Sequence, residues 1–388
     1  MRKTTPLEHF INRINELNEK IYNRDPWHIN YVDRSLLTIL NNLEKIELEL
    51  IAYELGIYHD YDITKEDLIN ILIEKLPIYV PLYLKNCDRS ALYFIKRLLN
   101  NNGLIRYYEN DHNLVLNLRY TGSFFLVLID GKRYILMPEE IQTSLRTLID
   151  ASFEELINHN QFVVDYLYGL LNYYGVINYE YFVNSISQHL ERQELNDTWY
   201  YQGIIHFQKK AYKRIETTND KIILSKIIYK DLISLQDYYR SYNLKCKAIT
   251  KEEILKLGKQ RTTDTQTYKD LRKLFMEYFA IKSDDVGLVE VLSALTNKMK
   301  LGYTFIECIN YINQYFIFGK DDKDGTIDFL NKLVNIYFHA PMYALKGYSL
   351  NEVKDYPNVY IPQININNYL SKLRYGNDDI DDEDELED

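Results

Sequence analysis

The chain has 388 residues, 46% of them apolar and 26% charged, enough for two or three cored domains, and no charge-free run of about 18 apolar residues exists to cross a bilayer. Its formal net charge is −10, but nine acids and no base sit in residues 376–388, and without them the charge is −1. That near-neutral body excludes recruitment of nucleic acid by whole-molecule charge, so any such binding needs a local patch.

Ser or Thr followed three residues later by Asp or Glu marks helix starts, because the pair satisfies two orphaned backbone donors. Such boxes open at Thr5, Thr64, Ser152, Thr250, Thr267 and Ser349. Apolar residues at helical spacing (Leu36, Leu37, Leu40, Leu43, Ile46, Leu50) predict a helix over 35–55 that stops at Gly56, a residue suited to a left-handed cap. A second helix starts at Thr64 and should end near Pro77, whose ring disfavours helix in the residue before it. A third covers 90–99. The apolar period then shortens to that of strands at 114–118, 124–129 and 133–137, and Asp130-Gly131 supplies the positive φ values of a type I′ hairpin. Pro138-Glu139-Glu140 opens another helix. Helices followed by a short antiparallel sheet spell a winged-helix-like module.

The same order returns. A helix over 160–174 ends at Gly175, a helix follows over 180–190, and strand-like 199–207 and 222–224 lead into a helix over 230–242. From 267 to 353 the pattern is helical, broken at 282–285 and 319–325. The expected fold is therefore mainly α (α+β). It comprises a helical lead-in with a first winged-helix-like unit over 1–150, a second, degenerate one over 151–262, and an all-α domain over 263–375. The acidic tail, 376–388, has too little apolar content to offset the entropy of ordering. It reads either as a solubilising end or as a competitor for the protein's own basic patches.

Glu47-Leu48-Glu49-Leu50-Ile51-Ala52-Tyr53-Glu54-Leu55-Gly56-Ile57, followed by Ile63-Thr64-Lys65-Glu66-Asp67-Leu68-Ile69-Asn70-Ile71-Leu72, resembles the helix-extension-helix of SAP and Rho N-terminal-like modules. The resemblance implies a tether to nucleic acid, although the extension Tyr58-His59-Asp60-Tyr61-Asp62 is acidic where a phosphate binder would carry Lys or Arg. More of the chain, notably the stretches 169–177 and 339–353, is similar to a group of proteins from low-GC Gram-positive bacteria in which such a module precedes winged-helix-like units and helices. In that group a SEC-C zinc tail is frequent; here the corresponding end is acidic and has no cysteine, so the resemblance implies no metal.

Two basic constellations are candidates for nucleic-acid contact. The first combines Arg89, Lys96 and Arg97 on the helix before the wing with Arg119, Lys132 and Arg133 on or beside the hairpin. The second is Lys209, Lys210, Lys213 and Arg214 with Tyr212 among them, which joins phosphate neutralisation to a stacking face. The alternative for the first is a winged helix that binds protein, and for the second an exposed connector kept soluble by charge; a third basic run, Lys245 to Arg261, could equally be the solvated face of a helix.

No phosphate-cradling glycine motif, nucleophile elbow or paired metal-ligand histidine spacing is present. Residues 319–328 resemble a calcium loop only until the register is set: with Gly325 at the sixth position, Lys320 and Asn331 fall where acids should ligate. Cys87, Cys246 and Cys308 lie too far apart for a C-x-x-C pair, and the first residues show no apolar export segment. A cytoplasmic, non-enzymatic binding protein is expected, with no cofactor, no membrane partner and no small-molecule substrate identified. Its expected partner is nucleic acid or a nucleic-acid-processing protein; the other reading is a protein-protein adaptor or inhibitor.

Overall fold

The computed structural model describes residues 25–31, 33–60, 62–189, 198–218, 220–282, 285–319 and 322–375. The box at Thr5 and the acidic tail lie outside them. The described chain is mainly helical, with its strands in two small separate sheets. Among the described residues no helix is long and apolar enough to cross a membrane.

One compact unit comprises the described residues of 25–164 together with 198–215; a second comprises those of 165–189 and 216–375. These borders do not follow the three-part division drawn from sequence, because 198–215 joins the first unit. In chain order the helices are α1 (Leu36–Asn42), α2 (Lys45–Glu54), α3 (Lys65–Leu84), α4 (Arg89–Asn100), α5 (His112–Leu118), α6 (Glu139–Leu148), α7 (Ala151–Tyr174), α8 (Tyr179–Ser187) and α9 (Thr198–Tyr212). The first sheet holds β1 (Ile29–Asn30), β2 (Leu104–Arg106), β3 (Phe125–Ile129) and β4 (Lys132–Leu136) in the order β1-β3-β4-β2. β3 and β4 form the expected hairpin: Asp130 and Gly131 take φ of 49° and 71°, the two positive values a type I′ turn requires. The sheet is not wholly antiparallel, since β1 runs parallel to β3 with Ile29 opposite Val127.

Several local expectations change. The helix foreseen over 35–55 is two, broken at Leu43 and restarted by Glu44, which exchanges hydrogen bonds with Glu47 in a capping box. α3 does not end at Pro77 but runs through Pro77 and Pro81 to Leu84. An interior proline costs about 3 kcal/mol, while each buried aliphatic contributes about 1.5–3 kcal/mol. Leu76, Val80 and Leu84 carry the buried row on past the first proline, so the terms are of equal size and proline has no veto. The segments 114–118 and 199–207, expected as strands, are the helices α5 and α9. Their buried residues (Val115 and Leu118; Tyr201, Ile204, Ile205, Gln208 and Ala211) recur every three or four positions, a period hidden by β-favouring side chains.

Boxes led by Thr64 and Thr250 cap as expected, whereas the caps at the next two starts are Asp150 and Thr265, each two residues upstream of the expected one. Ser349 and Glu352 pair but close a turn rather than a helix.

The second unit has a sheet in the order β5 (Val176–Asn178), β7 (Lys221–Leu224), β6 (Ile215–Thr218). Helices α10 (Tyr229–Tyr238), α11 (Lys251–Lys259), α12 (Gln266–Phe279), α13 (Val286–Leu301), α14 (Phe305–Ile312), α15 (Lys323–His339) and α16 (Asn367–Leu370) follow. Aromatic rings fill its core: Phe275 lies 5.2 Å from Phe329 and Phe279 4.7 Å from Phe316. The buried hydroxyls of Tyr239 and Tyr337 meet at 2.9 Å. Helix stops at His339, and the chain beyond it to Val353 is turns, not the helix expected there.

Asp88 settles where α9 lies. It is 5% exposed, and its carboxylate caps α4 by accepting from the Ala91 N–H (2.9 Å), then accepts from Gln208 Nε2 (2.9 Å) and the Tyr212 hydroxyl (2.7 Å) on α9. Asp88→Ala removes a cap and two hydrogen bonds from α9, a loss of roughly 1–4 kcal/mol. Urea unfolding of the full chain should show that loss as a lower midpoint, and Asp88→Asn, which keeps one acceptor oxygen, should lose less.

Candidate functional site

The first basic constellation starts on α4, where Arg89 and Lys96 stand two turns apart on one stripe and Arg97 beside it. All three are engaged. Arg89 Nε donates to Asn158 Oδ1 at 2.8 Å, and the Lys96 ammonium pairs with Glu154. Asn158 and Glu154 are one turn apart on α7, so its opening turns hold this stripe of α4. Arg97 pairs with Asp111, and its guanidinium sits 5.4 Å from the centre of the Phe94 ring.

Arg119 is not on the wing. It opens a tight turn, Arg119–Thr121, with its guanidinium 4.7 Å from the Tyr120 ring centre, and it lines a hollow of about 30 Å³ beside His28 and Glu47. That is room for about one water molecule. Glu47 accepts a hydrogen bond from His28 and raises the imidazole pKa above its ordinary value, against an opposing effect of burial. Lys132 and Arg133 do sit at the exposed hairpin tip, on opposite faces of β4; Arg133 lies 5.5 Å from the Trp27 ring centre.

The second constellation closes α9. Lys210 Nζ donates to Glu54 at 2.5 Å, and Tyr212 is turned to Asp88 rather than outward to stack. Lys213 takes a left-handed φ of 50° as the helix ends. Lys209 and Arg214 also have partners. Lys132 and Lys213 are exposed and have no hydrogen-bond or ion-pair partner among the described residues. Asp88 brings the start of α4 and the end of α9 side by side, which places Arg89 and Tyr212 in one neighbourhood.

The reading of residue types missed the outward face of α9. Trp199 is 78% exposed, and Gln202, His206 and Lys213 continue its stripe on solvent, while Tyr201, Ile204, Phe207 and Ala211 are buried behind them. Burial, with the nearby cations of Lys210 and Lys209, lowers the His206 pKa below its ordinary value, Glu54 opposing. The spacing of Trp199, Gln202 and His206 carries this signal, but only once 198–212 is read with a helical period. The stretches 47–57 and 63–72 fall largely on α2 and α3.

Comparison with protein-family models, with curated proteins and with solved structures finds no match to this chain.

The Arg97–Asp111 pair, with side chains 31% and 14% exposed, lies between the surface and buried limits. Asp111→Ala should therefore cost roughly 1–3 kcal/mol. Lys96→Gln, breaking a more exposed pair, should cost under about 1 kcal/mol. Thermal unfolding of the two variants side by side checks the order.

Proposed function

We propose that the protein is a non-enzymatic adaptor or inhibitor that docks a protein partner on the outward stripe of α9. The observation that carries this reading is the double character of that helix. Its inner face is tied into the first unit through Asp88, Asn117 and Tyr83, and its outer face leaves Trp199 78% exposed. An exposed tryptophan on a fixed helix is the residue type that anchors protein interfaces. Lys209 and Lys213 at the other end of the stripe favour a partner with an apolar pocket beside an acidic patch. A cytosolic setting accords with three free cysteines, two of them buried.

Nucleic-acid contact is the second reading, supported by element order. Over 151–224 the described chain runs helix, strand, helix, helix, strand, strand, with β7 beside β5, an order similar to that of a winged helix, although α9 belongs to the first unit and β5 and β7 to the second. Against it stand the carboxylates that already neutralise Lys96, Arg97 and Lys210. In this order α9 would be the groove-reading helix, and one of its faces is already committed to packing.

Two measurements separate these. In a pull-down from a bacterial lysate, Trp199→Ala should reduce recovery of the captured protein at least about tenfold, with Lys213→Glu weakening it further and raised salt weakening it only modestly. Fluorescence anisotropy with duplex and single-stranded DNA and RNA should show only weak binding. Unchanged recovery by Trp199→Ala overturns the docking reading. So does tight nucleic-acid binding that falls steeply with salt and loses slope when Lys132, Arg133 and Lys213 are neutralised.

A further inference from the structure

The second unit contains a cavity of about 180 Å³ among α7, α11, α12 and α13. An engineered protein cavity of about 150 Å³ holds benzene, so this one has room for a ligand of about six to ten non-hydrogen atoms. Its polar wall is one-sided in charge. Asn172, Gln260, Thr265, Gln266, Thr267 and Lys300 are among its lining residues, and among the described residues no Asp or Glu lines it.

Three features of that wall favour an anion. The first is Lys300, partly buried, with no hydrogen bond or ion pair among the described residues; it faces only the ring of Tyr343, 5.4 Å from its centre. Loss of hydration, with the charge of Lys226 nearby, pushes its pKa down to about 7, the mark of a cation that lacks a counter-charge. The second is the start of α12, a 14-residue helix whose cap, Thr265, takes up the Tyr268 and Lys269 N–H groups. The N–H groups of Gln266 and Thr267 take no acceptor among the described residues, and helix starts of this kind attract negative charge. The third is the count of charges. One cation faces the cavity, so a single negative charge balances it, whereas a phosphate monoester or dicarboxylate would bring a second with nothing to meet it.

We propose that this cavity is a binding site for a small monocarboxylate, held by the Lys300 ammonium and the first-turn donors of α12, with its apolar body against Leu257, Ala340 and Pro341.

The test uses the full chain, with benzoate and hexanoate as probes and benzamide as the neutral counterpart of benzoate, by isothermal titration calorimetry at pH 6.5. At least one acid should bind saturably with one site per chain, and benzamide at least about tenfold more weakly. Because the bound form needs the amine protonated, affinity should fall about tenfold per pH unit above pH 7. The neighbouring tyrosines do not reproduce that profile, since burial raises the Tyr173 and Tyr343 pKa values further from neutrality, and Lys226 hydrogen-bonds Asn297. Lys300→Met should abolish the preference for the acids over benzamide. It should also raise the melting temperature without ligand, since it removes a poorly hydrated cation from the folded state. The proposal is overturned if neither acid binds at millimolar concentration, if affinity is flat from pH 6 to 9, or if Lys300→Met binds the acids as wild type does. The wild-type pH profile decides alone should the variant fail to fold.

Discussion

A buried carboxylate costs several kcal/mol unless its oxygens are hydrogen-bonded, and Asp88 meets that demand with donors from two helices far apart in sequence. Capping α4 is a local task that any Ser, Thr, Asn or Asp could perform. Accepting from Gln208 and Tyr212 as well makes one side chain the junction of residues separated by more than a hundred positions. Remove it and α9 loses the contacts that tie Gln208 and Tyr212 to the start of α4. The Lys210–Glu54 pair, the bond from Asn117 to the Ala211 carbonyl and the apolar contact of Tyr83 with Phe207 would remain. Asp88 therefore shares the seating of α9 with these contacts and is the part of it that reaches α4.

The same economy engages several of the basic residues. Lys96, Arg97 and Lys210 each find a carboxylate that lies 58, 14 and 156 positions away. None of these pairings has a signature in the local sequence, because helical charge pairs are readable only at spacings of three or four. The basic run at 209–214 is real in sequence, yet its meaning reverses once Glu54 and Asp88 are brought to it. What was legible were features whose cause is local: the Asp130-Gly131 turn, the Thr64 and Thr250 caps, and the mainly helical class. What was not legible were the state of short aromatic-rich runs, where tertiary burial overrides propensity at 199–207, and the long-range partners of the cations.

The tyrosines follow the same rule. There are 37 of them, an excess that in isolation invites a stacking platform. Tyr239, Tyr337 and Tyr343 are instead fully buried, and burial raises their hydroxyl pKa values above the ordinary one, Tyr337 the furthest. The Tyr239 and Tyr337 hydroxyls satisfy one another, and Tyr337 also donates to the Tyr303 carbonyl at 3.0 Å. Tyr239 and Tyr337 supply aromatic area together with a polar end that is matched, which specifies core geometry more tightly than phenylalanine would.

Lys300 differs from several lysines of its own unit. In the same unit Lys247 meets Glu352 at 2.5 Å, Lys259 meets Asp165 at 3.4 Å and Lys332 meets Asp328 at 2.7 Å, although all three are at or near the surface, where pairing contributes little. Lys300 is more sheltered, so an unmatched charge there costs more, yet its ammonium has no hydrogen-bond or ion-pair partner among the described residues. A methionine or leucine at position 300 would fill the space without that cost. A cation kept where it destabilises the fold, beside unused helix-start donors and open volume, is the pattern of a site whose counter-charge arrives from outside the chain.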